Sequence, residues 1–419
     1  MSPIIFLAAL FLSVPVAIVL VVTAIWYIWE SGNTVLYDSV AQKMFAGLEN
    51  YGLLAIPLFM LTGELMNEGG MTKRLINMAR VSVGGFRGGL AYINLLANMF
   101  MAAIIGSATA QIAVMSRAMV PAMEAEGYDK GFAAATTAAG GLLAPVIPPS
   151  MMFVIYGVLA QVPIGEMFIA GIIPGILLTV AFALVITIVG WSREFPKGSW
   201  MSRQEAGRAI LQSLPAMLIP LAIIGGILFG IATPTESAAI ASLIAFLVGW
   251  LFYRELKPSH LAEMFKRTAV NASMIIFMIS AASVFGWVII YEEVPQKMAG
   301  LITSVTSNPF MFFLIVNAAL LLVGMVIDGI AAIILITPIL LPIATGSYDI
   351  SPYQFGVVMC LNLALGLLTP PVGIGLYIAS SVSNTPPGAI LKSLWPFLLA
   401  VGLVLILLSY FASLSTALL

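Results

Sequence analysis

Apolar positions in this chain come in runs, and the runs are longer than a soluble core requires. Segments 3–28, 51–68, 168–191, 213–231, 236–253, 269–291 and 393–415 are almost uninterrupted. A hydrocarbon core is crossed by about 20 apolar residues in a helix. Each run therefore predicts one spanning helix. Four further segments, 88–123, 129–160, 308–345 and 353–383, are apolar but too long for one crossing or broken midway. Their interruptions hold Gly, Pro, Ser, Thr and, once, Asp. Glu30, Asp38, Lys43 and Glu49 set 29–50 apart, as an external loop or an interfacial helix.

Composition agrees. Of 419 residues, 61% are hydrophobic and 8% charged, against about 25% charged in soluble domains. The mean hydropathy is +1.09. Lipid is the solvent such a surface fits. A net charge of -1 supplies no basic patch for nucleic acid. One cysteine, Cys360, rules out an internal disulfide, and one histidine, His260, argues against a His-ligated metal. Met1 to Tyr27 lacks a basic leader and is too long for a signal core, so it reads as a first helix that is retained.

Charge sets the orientation. Lys73, Arg74, Arg80 and Arg87 form one basic cluster. Arg193, Lys197, Arg203 and Arg208 form a second, and Arg254, Lys257, Lys266 and Arg267 a third. Such loops stay cytoplasmic. Arg117 and Lys130 follow 88–123, so this segment reads as a re-entrant hairpin entering from the cytoplasm, with its tip near Gly106. No basic residue lies between Lys297 and Lys392. Segment 308–345 then reads as a hairpin from the opposite side, with its tip near Asp328. The halves also match in sequence: Ser107 to Pro121 against Asp328 to Pro342, Gly141 to Pro149 against Gly366 to Pro371, and Pro174 against Pro396. Inverted topology with weak internal similarity is a signature of transporter repeats.

Four places carry candidate chemistry. At Gly106-Ser107-Ala108-Thr109 small residues permit a sharp turn that frees carbonyls and presents two hydroxyls. The alternative is a small-residue helix contact. Pro145, Pro148 and Pro149 cannot lie inside a continuous helix and break 129–160, either as an ion-binding gap or as a plain kink. Asp328-Gly329 puts a carboxylate at a hairpin tip, functional if it lies within the membrane and a loop residue if it lies at the interface. Thr369-Pro370-Pro371-Val372-Gly373 breaks 353–383 as the prolines break its counterpart. Broken helices offer carbonyl ends to cations and amide ends to anions.

Other polar residues suggest structural roles. Thr235 is expected to cap a helix with Glu236 in its first turn, and Glu64 to pair or cap near a helix end. Asn94, Asn98, Asn317 and Asn362 suggest interhelical hydrogen bonds. Trp26, Trp29, Trp191, Trp250 and Trp395 suggest interface anchors. His260 is expected in a solvated basic loop.

The motifs Gly-Ser-Ala-Thr-Ala at 106–110, Pro-Thr-Glu-Ser-Ala-Ala at 234–239, Asp-Gly-Ile-Ala-Ala-Ile-Ile-Leu-Ile-Thr-Pro at 328–338 and Gly-Leu-Leu-Thr-Pro-Pro-Val-Gly at 366–373 resemble a known family. It is the large membrane subunit (M, DctM-type) of tripartite ATP-independent periplasmic (TRAP) transporters, and the resemblance covers essentially the whole chain. It implies an all-α polytopic membrane protein of the bacterial inner membrane, an inverted-repeat elevator-type transporter with two re-entrant hairpins and two broken helices. It implies sodium-coupled uptake of an organic carboxylate, a C4-dicarboxylate, a sialic acid or similar, and no enzymatic activity. The implied partners are a small four-helix membrane subunit, expected as a separate chain, and a periplasmic substrate-binding protein. Sodium ions are co-transported and no organic cofactor is implied. The first sodium region is expected at Gly106, Ser107, Ala144 and Ser150, the second at Asp328, Gly329, Thr369 and Gly373. The carboxylate is expected near Ser107, Thr109, Pro149, Ser150, Gly329 and Pro371. Ala108 and Ala110 stand where some relatives carry an acid. Residues 1–68, 161–291 and 384–419 are expected as scaffold, and 69–160 and 292–383 as two halves of a transport domain. Two rivals remain: an organic-anion transporter that needs no binding protein, and a membrane enzyme or scaffold, against which the lack of an intramembrane His, Cys or paired-carboxylate site weighs.

Overall fold

Among the described residues the apolar runs are largely helical, and the interruptions at Gly106, Pro145–Pro149, Asp328 and Thr369–Gly373 become helix ends. The computed structural model describes residues 6–419 apart from 7, 11, 13, 34, 194, 197 and 199, and the described residues contain no strand. The first half runs α1 (Val16–Ser31), α2 (Leu36–Ala46), α3 (Ala55–Glu68), α4 (Met71–Val83), α5 (Gly89–Ile105), α6 (Ala108–Ala125), α7 (Lys130–Gly141), α8 (Met151–Ala160) and α9 (Ile164–Ser192). The second half repeats this order: α10 (Arg203–Leu228), α11 (Pro234–Leu247), α12 (Pro258–Tyr291), α13 (Val294–Val305), α14 (Pro309–Gly324), α15 (Gly329–Tyr348), α16 (Pro352–Gly366), α17 (Ile374–Ser383) and α18 (Pro387–Tyr410). Six of these helices are long and apolar enough to cross a bilayer, or up to eight spans if each bent pair is one. The run 3–28 is not one helix: Leu12, Val14 and Pro15 are non-helical and α1 starts only after Pro15, while residues 3–5 lie outside the described residues.

Local sequence explains the boundaries. Ser202 and Glu205 form a capping box at the start of α10. Thr233 and Glu236 form another at α11, with Pro234 in the first helical position. The cap is thus Thr233 rather than Thr235, because only Thr233 stands three residues before the glutamate. α12 begins at Pro258, so His260 lies in its first turn and not in a loop. Its Nδ1 faces Glu68 at 3.7 Å. Segment 29–50 contributes α2, which continues into Tyr51–Glu68 through a 53° bend. α4 is amphipathic: Met71, Thr72, Leu75 and Ala79 are buried, while Lys73 and Arg80 face out. Its counterpart α13 turns into α14 through 117°.

The hairpins are α5–α6 and α14–α15, and the broken helices are α7–α8 and α16–α17. Their packing is reciprocal. α15 of the second hairpin lies on α8 of the first broken helix, and α6 of the first hairpin lies on α17 of the second. Each returning arm therefore crosses into the other half, which brings both tips to the centre. Close approach needs small residues. A Cβ on Gly366 would stand 2.6 Å from Gly324 Cα, so α14 and α16 touch backbone to backbone.

The asparagines bond between helices as expected. Asn94 Nδ2 donates to Thr137 Oγ1 at 2.8 Å, and Asn98 Nδ2 to Asn94 Oδ1 at 2.8 Å. Gln111 Nε2 donates to Asn98 Oδ1 at 2.9 Å and Gly140 O at 3.2 Å, tying α6 to α5 and α7. In the second half Asn362 Nδ2 donates to Asn317 Oδ1 at 2.9 Å. Away from this body, α1 and α2 pack on α12, and α3, α10 and α11 pack together. α9 and α18 pack on each other and on α16; α18 also packs on α7 and α9 on α5 and α8, while α9 touches α10 only slightly.

Candidate cation and substrate site

The first tip is shaped by one residue. Gly106 ends α5 at φ +61, and Ser107 is extended before α6 begins. A Cβ at Gly106 would lie 3.2 Å from both Met151 N and Pro149 O. Left-handed backbone and crowding together require glycine here. The tip leans on the first break: Met151 N donates to Gly106 O at 3.3 Å. The second tip does the same, since Gly373 N donates to Met325 O at 3.2 Å. In both halves an amide near the start of the second half-helix holds a hairpin tip. Both breaks contain a cis X-Pro bond, Pro148-Pro149 and Pro370-Pro371.

Side chains complete the breaks. Ser150 caps α8 and donates to Pro145 O at 2.7 Å, closing the first break on itself. Thr369 Oγ1 donates to Leu365 O at 2.8 Å. Asp328 caps α15 by accepting from Ile330 N at 3.0 Å. Ser107 Oγ and Thr109 Oγ1 stand 3.2 Å apart on the first tip.

A cavity of about 550 Å³ opens between the tips and helices α3 and α12. That is within the range of small-molecule sites, about 300–1,000 Å³. Gly106, Ser107 and Thr109 line it from one hairpin and Asp328 from the other. Pro145 and Leu367 show one residue of each break, and methionines supply much of the apolar wall. Of the other expected residues, Ala144, Pro149, Ser150, Gly329 and Gly373 are buried and Thr369 is half-buried. None of them lines the cavity. Pro371 is exposed and does not line the cavity. The donors at the two tips are hydroxyls, carbonyls and one carboxylate, a hard oxygen set that suits an alkali cation better than a transition metal.

The opposite wall was not foreseen as a site. Glu64 and Asn67 of α3 and Thr268 and Asn271 of α12 face the tips across the cavity. The only sequence signal was a few polar residues near the ends of two spans. Arg267 Nη2 holds Glu64 at 3.1 Å and Glu68 at 3.1 Å, so the pairing expected of Glu64 is present. Gln111 was also missed. Its Oε1 is buried and unpartnered.

Known proteins resemble this chain. Residues 4–414 match the family described as Tripartite ATP-independent periplasmic transporter, DctM component. The chain is 35% identical to the sialic acid TRAP transporter large permease protein SiaM of Vibrio cholerae, over 97% of this chain and 94% of that one. It is 36% identical to the C4-dicarboxylate TRAP transporter large permease protein DctM of Pseudomonas aeruginosa, covering 91% and 89%. It is 37% identical to the isethionate TRAP transporter permease protein DctMQ of Oleidesulfovibrio alaskensis, covering 96% of this chain and 64% of that one. The fold is also that of the YdaH transporter of Alcanivorax borkumensis, with a TM-score of 0.66 at 15% identity over 91% of this chain and 89% of that one. The chain therefore belongs to the DctM family of TRAP transporter large permeases, multi-pass proteins of the bacterial inner membrane.

Proposed function

We propose that this chain is the translocating subunit of a sodium-coupled uptake system for an organic anion, most simply a carboxylate. One observation carries the reading: two hairpin tips from opposite halves bring Ser107, Thr109 and Asp328 to a single cavity of solute size. Sodium binds at each tip, against the facing break, and the carboxylate lies between the tips. Asp328 supplies the formal charge for one cation. Ser107, Thr109 and backbone oxygens serve the other, while Ser150 and Thr369 hold the breaks in shape. Cation and solute are coupled because both close the same two tips. Sialic acid, C4-dicarboxylate and isethionate appear in the names of relatives, and all are anions.

The family's tripartite, periplasmic description supports two further components, which this reading takes to be a small four-helix membrane subunit and a periplasmic binding protein. An elevator motion is the matching mechanism. The moving body comprises the hairpins, the broken helices, α9 and α18, because these pack together. The remaining long helices stay fixed, and α4 and α13 link the two bodies. This redraws the division expected from sequence, in which α9 and α18 belonged to the scaffold.

The test is uptake of labelled sialic acid and succinate into liposomes holding the membrane subunits. Uptake of one solute is expected with an inward sodium gradient and its binding protein, and not with potassium. Uptake that is equal in potassium rejects sodium coupling. Uptake that is equal without the binding protein favours the self-sufficient alternative.

A further inference from the structure

The cavity presents an electrostatic problem for an anion. Its lining includes the carboxylates of Asp328 and Glu64 and, among the described residues, no Lys, Arg or His. Glu64 is offset from outside the lining by Arg267, which it shares with Glu68. Beside Arg267 on α12, Thr268 lines the cavity, is only 6% exposed, and has an Oγ1 without a hydrogen-bond partner. An unpaired buried hydroxyl is costly; Oγ1 itself is shielded from the cavity, and a turn of the Thr268 side chain about χ1 would present it to a solute oxygen. Asn271, one turn beyond Arg267 on the same face, lines the cavity and is exposed to it.

We propose that the scaffold wall is a second solute subsite, in which Thr268 and Asn271 bind the polar end of an organic anion remote from the hairpin tips and Arg267 sets the charge of the wall. The subsite deepens the function proposed above and rests on the cargo being an anion. Arg267 is a positioning residue for charge: it cancels Glu64, which otherwise repels the cargo. The contact is on the fixed body, so it is made while the cavity faces α3 and α12 and is broken when the tips move away. The wall thereby distinguishes solutes by their far end, whereas the tips hold the acidic group.

A cysteine at exposed Asn67, which lines the cavity next to Glu64 and Glu68, reads the wall without any cargo. The native thiol, Cys360, is buried. The measured quantity is the modification rate by an anionic sulfonatoethyl methanethiosulfonate divided by that of its cationic trimethylammonioethyl analogue. In the Asn67→Cys background, Arg267→Gln is expected to lower this ratio roughly tenfold, since the two reagents differ by two charges. Arg267→Lys is expected to leave it within about twofold, Glu64→Gln to raise it, and the double variant to fall between the single ones. A ratio unchanged in Arg267→Gln, or moved in the same direction by Glu64→Gln, overturns the charge role even if the variants fold poorly for transport. In uptake assays Thr268→Val is expected to raise KM several-fold at unchanged maximal rate, as loss of uniform binding does. An unchanged KM removes the subsite. Absence of uptake by the wild-type complex would instead count against the proposed function, and the reagent ratio would still decide the charge role.

Discussion

Single residues at the tips do work that a neighbour of similar size cannot. Gly106 combines a left-handed backbone with contacts to Met151 and Pro149. Gly127 has φ +90 with nothing within 4 Å of a built Cβ, so it isolates the backbone penalty. That penalty is about 1–2 kcal/mol for an L residue. Gly127→Ala should therefore cost about that much stability and leave transport intact. Gly106→Ala should cost more and should impair sodium-driven uptake, because the tip must move off the first break. Thermal melts and uptake of the two variants side by side check this, and equal effects would mean that the tip contact is incidental. Asp328 has two roles that one substitution separates. Asp328→Asn keeps an oxygen to accept from Ile330 N but loses the charge. It should preserve the fold and remove the sodium dependence of uptake, measured as rate against sodium concentration. An unaltered sodium curve would exclude Asp328 from the cation site.

Elements show what the chain made legible and what it hid. The turns at Gly106 and Asp328 and the breaks at Pro145–Pro149 and Thr369–Gly373 could be read because glycine and proline act locally on the backbone. Their positions needed no knowledge of tertiary contacts. Segment 29–50 stayed open between loop and helix, because Asp38 and Lys43 lower its hydropathy and its partner α12 lies far along the chain. The cap at Thr233 was misplaced by two residues because neighbouring threonines compete, and only the spacing to Glu236 decides. The wall of Glu64, Thr268 and Asn271 was hidden for a different reason: it is assembled from helices about 200 residues apart. The polar ladder in the first hairpin belongs to this scale too. Asn98 and Gln111 are fully buried and bond across α5, α6 and α7. Such bonds are worth about 0.6–2 kcal/mol each within a membrane. Asn98→Leu and Gln111→Leu should each lower the melting temperature, and the double variant should fall short of their sum because they share one network. Strict additivity in the melts would show the two side chains to be independent.

At the scale of the whole molecule, the reciprocal crossing of α6 onto α17 and of α15 onto α8 ties the two halves into one body. Neither hairpin can shift far without carrying the other half's broken helix. The helices proposed to stay fixed meet this body across the cavity wall and at α4 and α13. Sequence could not assign α9 and α18 to the body, because a spanning helix has the same composition whichever neighbour it packs on. Spin labels on exposed residues can follow the division: Ile176 of α9 and Leu399 of α18 on the proposed moving body, and Leu221 of α10 on the fixed one. Electron–electron distances would be taken in liposomes, in sodium plus solute and in potassium without solute. The expected result is a constant Ile176–Leu399 distance and a Leu221–Leu399 distance that shifts by several ångströms between the two conditions. A Leu221–Leu399 distance that never changes, or an Ile176–Leu399 distance that changes as much, would contradict a single moving body that carries both tips.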